Sequence, residues 1–304
     1  MVAEIIDGEK YAEVIKNEIR SELESLKKAS VQPSLIALQV GENSSSKIYI
    51  DNQRNTCESL GFKYTLLTLP HETTQTELES QIKKINLDST IHGIIIQQPL
   101  PSHINGSQVI LAMDPNKDVE GLHPINYGTL FYEDYNLAPC TAIAAEKLLK
   151  YYEPNLNGKE VAIIGRSAIA GKSLAMLLLG SKKNAPTVTV CHSQTRSIKE
   201  HTLRADIICV ACGIPNLITA DMVHKNSIII DIGINRVSKL DANGQVILND
   251  KGKPVKKTVG DVDYDNVSKV CKAITPVPGG VGPVTVAMLL WNTMKCARLV
   301  SKKK

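Results

Sequence analysis

EVAIIGRSAIAGKSLAMLL, residues 160–178, reads as an apolar strand, a glycine turn and a helix in immediate succession. That arrangement offers backbone N–H groups and the positive end of a helix to phosphate. Two nucleotide-binding loops compete for it. GRSAIAGKS looks like a P-loop, and SIIID (227–231) looks like the apolar strand that ends in a magnesium-binding Asp. The P-loop needs four residues between its glycines, however, and Gly165 and Gly171 are separated by five. Since that loop works by wrapping consecutive N–H groups round the phosphates, an extra residue changes the cradle, and the NTPase reading fails. The other loop is a dinucleotide turn with Ser167 in place of the middle glycine. An NAD site keeps an acid for the ribose hydroxyls at the end of the next strand. Here that strand ends in CHSQTR (191–196), without an acid, and Arg166 follows the first glycine. A neutral-to-basic pocket suits a 2′-phosphate, so NADP is expected over NAD. Arg166 read on its own is also compatible with a solvated loop arginine, and Ser193 with a turn residue.

Working outward, the same pattern repeats. After APCT (138–141) come a helix over 141–152, the strand 160–165, a helix over 171–181 and the strand TVTVC (187–191). A helical stretch near 197–205 and the strands DIICVA (206–211) and SIIIDIG (227–233) follow, giving an open, doubly wound sheet. Upstream, Tyr11, Ile15, Ile19, Leu23 and Leu26 form one helical stripe. SLIALQV (34–40), YTLLTLP (64–70) and HGIIIQ (92–97) read as strands, with an N-capped helix at TTQTELESQIKKIN. Strands that are apolar throughout imply parallel sheets covered on both faces. The final helix, VGPVTVAMLLWNTMKCARLV, need not belong to its sequence neighbours.

Composition narrows the function classes. The 304 residues carry a net charge of only +4, much of it in KGKPVKK (251–257) and the terminal SKKK, which read as solvated or flexible. No basic stripe with interleaved aromatics points to nucleic acid, and no run reaches membrane-span length. The acidic N-terminal stretch does not resemble a secretory signal. Seven scattered cysteines suggest a reducing compartment, so the expected location is cytoplasmic. Cys209 and Cys212 form a lone CxxC inside an apolar strand, a weak metal signal, and they are expected to be core; no metal site is expected.

The segments GIIIQQPLP, DPNKDVEGLHPINYG, APCT, GRSAIAG, CHSQT, VGDVDYD and ITPVPGGVGPVTVAMLL occur in the order found in the methylenetetrahydrofolate dehydrogenase/cyclohydrolase family. The chain resembles that family over nearly its whole length. The resemblance implies two open α/β domains: 1–140 plus 281–304 as the catalytic folate domain, and 141–280 as a Rossmann-like NADP-binding domain. It also implies a folate cleft between them, a C-terminal helix packed back on the first domain, and a homodimer. By resemblance Tyr49 orients the pterin, Gln97 hydrogen-bonds near the reacting centre, Glu120 holds the ring, and Pro278 and Gly279 line the folate cleft. Arg166 and Ser193 match positions that hold the 2′-phosphate, while Gly165, Ser167, Gly171, Ile234 and Thr275 match the dinucleotide site. On the residues alone, Gln97 ends a buried strand, where ligands gather in parallel sheets. Gly279 and Gly280 precede a helix whose first turn carries Pro283, read as an N1 proline.

The departures bear on chemistry. If SSSKIYIDNQ (44–53) and the RNTCESLGF after it form a helix, Ser46, Tyr49 and Gln53 share a face. The family has Lys where this chain has Gln53, and KDVDG where this chain has KDVEG, which puts Glu120 at the acid position. Ala142 and Ser173 replace usual prolines, and Ala170 a usual valine. In the family the Lys serves the cyclohydrolase step, which needs proton transfers, whereas hydride transfer mainly needs orientation. Glutamine cannot exchange a proton at neutral pH. Lys47 lies nearly opposite Tyr49 on the helix, and Arg54, about 100° away, is too basic to shuttle protons. The expectation is therefore an oxidoreductase that moves a hydride from 5,10-methylenetetrahydrofolate to NADP, with cyclohydrolase activity weak or lost. The alternatives are a fully bifunctional enzyme, here carrying a Lys-to-Gln replacement, and a non-catalytic dinucleotide-binding relative.

Overall fold

The computed structural model describes residues 2–301 apart from 43–46, 134, 181–182 and 242–243; residues 47–49 are described as helix backbone. The strands are β1 (Glu4–Ile5), β2 (Ser34–Val40), β3 (Lys63–Leu69), β4 (Gly93–Ile96), β5 (Glu160–Ile164) and β6 (Thr187–Cys191). They continue as β7 (Ile207–Val210), β8 (Ile228–Asp231), β9 (Asn235–Ser238), β10 (Lys256–Val259) and β11 (Ala273–Ile274). The helices are α1 (Gly8–Lys28), α2 (Lys47–Ser59), α3 (Gln75–Leu87), α4 (Gly106–Leu111) and α5 (Pro124–Phe131). After them come α6 (Cys140–Tyr152), α7 (Ser173–Leu179), α8 (Ile198–Arg204), α9 (Tyr264–Val267) and α10 (Val281–Ser301). No helix among the described residues is long and apolar enough to cross a membrane.

The chain divides into two compact units. One comprises Ala12–Cys140 and Thr285–Lys304. Its sheet is parallel, in the order β3-β2-β4. Central β2 is buried at every residue, which explains its unbroken apolar run, whereas edge strand β3 alternates in exposure. Ile36, Leu38, Ile94 and Ile96 meet Leu78 and Ile82 of α3 in the core. Helix α3 starts at a capping box in which Thr74 and Glu77 satisfy each other's backbone N–H. The predicted stripe of α1 is buried at Ile15, Ile19, Leu23 and Leu26. The C-terminal helix packs on this unit, as expected: buried Asn292 donates to the carbonyls of Val119 (2.9 Å) and Ala138 (3.4 Å).

The other unit comprises Met1–Tyr11 and Thr141–Val284. Its six strands run parallel in the order β1-β11-β8-β7-β5-β6. The chain steps from β5 outward to β6 and then back past β5 to β7. The end of β5 is thus a switch point, where a crevice for ligand opens. The expected boundaries placed the first residues with the folate domain. Here they go with the larger sheet, because β1 pairs with β11, a contact between the two ends of the chain that no local pattern announces.

KGKPVKK is solvated as expected, all its lysines being exposed, and its last two, Lys256 and Lys257, belong to β10 and pair antiparallel with β9. Two local readings change. Helix α10 begins at Val281, so Pro283 is its third residue and not N1; the N–H that it lacks is still one of the first-turn orphans. The helix expected from 171 starts instead as a π turn over Ala168–Lys172, followed by α7. Of the CxxC pair, Cys209 lies in the core and Cys212, just past β7, is half-buried against it. Cys209 is buried in β7, and burial pushes its thiol up to about 12. Cys212 donates its thiol to the Ile164 carbonyl at 3.3 Å.

Candidate active site

In the first unit, the chemistry gathers at the C-terminal end of β4. The Gln97 N–H bonds the Leu38 carbonyl at 2.8 Å, which extends the strand ladder to that residue. Its side chain, 5% exposed, donates Nε2–H to Oε1 of Gln53 at 2.9 Å. Gln53 comes from the inward face of α2 and is 1% exposed. The Tyr64 hydroxyl of β3 approaches the same oxygen at 3.5 Å, the outer limit of a hydrogen bond. Gln53 Nε2 is buried and has no hydrogen-bond partner among the described residues. A buried donor left unmade is expensive, so an orphan at a strand end points to a ligand acceptor. Tyr64 was not singled out in the sequence, since an alternating edge strand does not reveal which neighbour its hydroxyl meets. Burial pushes that hydroxyl up to about 12, so it stays a donor at neutral pH. Arg54 stacks over its ring at 5.7 Å and pairs with Asp51 at 3.4 Å. Ser46 and the side chain of Tyr49 lie outside the described residues.

Glu120 follows a segment that bridges to β4 at Ile94↔Asp118. Burial, and then the charge of Asp118, push its carboxyl up to about 8; a hydrogen bond from the Ile96 N–H pulls the other way. Asp118 is fully buried and takes the His123 N–H (2.6 Å) and Asn126 Nδ2 (2.8 Å) on Oδ2. Its Oδ1 has no partner among the described residues, and burial raises its carboxyl as well. The segment is clamped from behind. Gly121 has φ +69°, and a Cβ there would lie 2.2 Å from the backbone of Ala138. Cys140, of APCT, donates its thiol to the Val119 carbonyl at 3.1 Å. Ala142 is fully buried, so its departure from proline is a matter of packing.

In the second unit, the glycine turn is built on close backbone approach. Gly165 has φ +119°, and a Cβ on it would lie 2.3 Å from the Ala211 carbonyl oxygen. A Cβ on Gly171 would lie 2.0 Å from the Gly165 carbonyl oxygen. Ser167, standing for the middle glycine, accepts the Ala170 N–H at 3.3 Å and caps the π turn. Ser173 donates its hydroxyl to the Ala168 carbonyl across that turn, a bond that proline could not make. Ala170 is buried beside it. Ile164 pairs with Cys191, so Arg166 and Ser193, each two residues further on and exposed, leave neighbouring strand ends together. No acid lies in the turn that carries Ser193. The residues present therefore fit a dinucleotide bearing a 2′-phosphate.

Ile234 is 66% exposed just beyond β8. Thr275 is fully buried, and its hydroxyl accepts the Asp231 N–H at 2.7 Å, so it acts inside the scaffold. Pro278 follows a cis peptide bond, and Gly279 has φ +104°. This loop abuts the start of α1, where the Gly8 N–H bonds the Gly279 carbonyl at 2.9 Å. Among the described residues, no group of three His, Cys, Asp or Glu side chains could hold a metal ion.

Comparison with known proteins agrees with both halves. Residues 6–120 match the family model "Tetrahydrofolate dehydrogenase/cyclohydrolase, catalytic domain", and residues 139–301 match that of the family's NAD(P)-binding domain. The bifunctional protein FolD of Sulfurihydrogenibium sp. is 46% identical over 293 residues, covering 96% of each chain. The crystal structure of FolD, a methylenetetrahydrofolate dehydrogenase/cyclohydrolase, from Campylobacter jejuni superposes with a TM-score of 0.88. It is 40% identical and covers 98% of this chain and 99% of its own. The Trypanosoma brucei enzyme, solved with NADP cofactor and an inhibitor, gives a TM-score of 0.88 at 33% identity, with 98% of each chain covered. With both family models matched in order and relatives similar from end to end, the chain belongs to the tetrahydrofolate dehydrogenase/cyclohydrolase family.

Proposed function

We propose that this family member oxidises 5,10-methylenetetrahydrofolate with NADP and opens the resulting methenyl ring slowly or not at all. The observation that carries the reading is the amide pair. Gln53, 1% exposed, is locked to Gln97 at 2.9 Å, and neither side chain can release or take up a proton at neutral pH. NADP, when bound, supplies the hydride acceptor. The protein's own contribution to that step is orientation: the Gln53–Gln97 pair offers a fixed, uncharged edge with Nε2–H free to meet a folate acceptor. Ring opening needs a proton moved, and loss of one general acid–base group costs about 10²–10⁴ in rate. Preference for NADP over NAD rests on Arg166 and Ser193, with no acid where an NAD site would keep one.

Separate assays of oxidation and of ring opening test the reading. Oxidation should proceed with NADP while methenyltetrahydrofolate accumulates, and a ring-opening rate matching oxidation would refute it. A second reading keeps both reactions. It is favoured by Glu120, whose carboxyl, held at about 8, is poised to exchange a proton near neutral pH. In that case E120Q should abolish ring opening more completely than oxidation. A homodimer is proposed on the family resemblance, and a measured molar mass of one chain in solution would remove it.

A further inference from the structure

Asp261 is fully buried, and its carboxylate collects four donors. Oδ2 takes the N–H groups of Cys212 (2.6 Å) and Gly213 (2.9 Å). Oδ1 takes the Ile214 N–H (2.9 Å) and Nδ2 of Asn235 (2.8 Å). Three donors belong to the loop that leaves the C-terminal end of β7, and the fourth, Asn235, opens β9 directly after the loop that leaves β8. The second loop fits only because residue 233 is glycine; a Cβ there would lie 2.1 Å from the Asp261 carboxyl carbon. Asp231 braces the arrangement from below. Its carboxylate accepts the N–H groups of Gly233, Asp261 and Val262, each at 3.0 Å.

What the braced loops present is apolar. Ile214 is 51% exposed and Ile234 66%, and Ile169, beyond neighbouring β5, is 49% exposed. Single exposed isoleucines are ordinary. Three of them beyond the C-terminal ends of adjacent strands β5, β7 and β8, at the switch point, lie where ligands bind in such sheets. We propose that Asp261 is a positioning residue for the dinucleotide: its carboxylate ties the β7 and β8 loops together so that Ile214 and Ile234 stand preformed as a wall for a planar ring. The claim rests on the dinucleotide reading above. It requires a carboxylate specifically, because four donors need two acceptor oxygens. An amide would accept on one side only and turn its own N–H groups against the donors on the other.

The test is calorimetric titration of NADP into the full-length wild type, D261N and N235A, with steady-state oxidation measured in parallel. D261N should weaken dinucleotide binding by about 10- to 100-fold, the scale of a site misplaced by about 1 Å. Its KM for the dinucleotide should rise while its KM for the folate stays within about twofold, a split that general destabilisation would not produce. N235A removes one donor of the four and should weaken binding by roughly threefold to tenfold. If D261N does not fold, N235A decides, and wild-type affinity in it overturns the proposal. Folded D261N with wild-type affinity, or equal rises in both KM values, also overturns it. Binding in the wild type that both variants retain removes only the positioning role. A wild type that binds no dinucleotide removes the underlying reading as well.

Discussion

The two units meet the same demand, a ligand held at the ends of parallel strands, by different means. The smaller sheet places side chains there: Gln97 just past β4, Gln53 from α2 and Glu120 from the segment beside β4. The larger sheet places backbone there, since Gly165, Gly171 and Gly233 lack a Cβ that would collide within 2.3 Å of a neighbour. A site made of side chains can change its chemistry by one substitution without altering its shape. A site made of backbone tolerates little change in shape, but its chemistry belongs to the bound cofactor. On that contrast, the side chain at position 53 can change the chemistry of its site alone, whereas Gly165 and Gly171 of the turn leave no room for a Cβ.

The largest effect should come from restoring proton chemistry to the first site. Q53K is expected to raise ring opening by about 10²–10⁴ while changing oxidation by only a few-fold. Equal gains in both would erase the division between the two sites. On the backbone side, G171A forces its Cβ against the Gly165 carbonyl, and overpacking of this kind costs about 1–3 kcal/mol. It should weaken NADP binding roughly 10- to 100-fold in a titration, with the KM for folate little changed.

Protonation gives a smaller, sharper test. The Glu120 carboxyl is raised from 4.5 to about 8, so between those pH values the folded state holds a proton that the unfolded state releases. Its contribution to stability is complete below about pH 4.5 and is lost as pH rises through 8. Asp231, raised from 3.8 to about 7 by burial, acts in the same direction. Denaturant titrations should therefore show stability falling from pH 5 to 8.5, and E120Q should flatten that slope by about 1–3 kcal/mol over the range. An unchanged slope would mean that Glu120 is ionised across this range. The smallest effect belongs to Y64F. At 3.5 Å the Tyr64 contact is marginal, and its loss should cost less than about 1 kcal/mol and leave oxidation nearly intact.

The alternation of strand and helix and the parallel sheets were legible because each rests on local periodicity or a continuous apolar run, whereas the return of α10 to the first unit was implied by the family resemblance alone. Gln97 and the glycine turn were legible because strand ends in parallel sheets are where ligands gather. Tyr64, Asp118 and Asp261 were not, since each owes its importance to partners far off in the chain; Asp261 meets Cys212 across 49 residues. The β9–β10 hairpin was hidden by its lysines, although Gly244 and Gly252, with φ +78° and +68°, mark the turns between its strands. Cys209 and Cys212 show the converse, a spacing that invites chemistry, yet Cys209 is buried inside β7 and Cys212 lies in the loop just beyond it.

The central claim is that an uncharged amide pair orients folate for oxidation and fails at proton transfer. One spectrophotometric experiment addresses it directly, following NADPH and methenyltetrahydrofolate together from 5,10-methylenetetrahydrofolate. The account predicts that the two rise in step and that the methenyl signal persists. Formation of NADPH while the methenyl signal stays low, because ring opening keeps pace with oxidation, would contradict it.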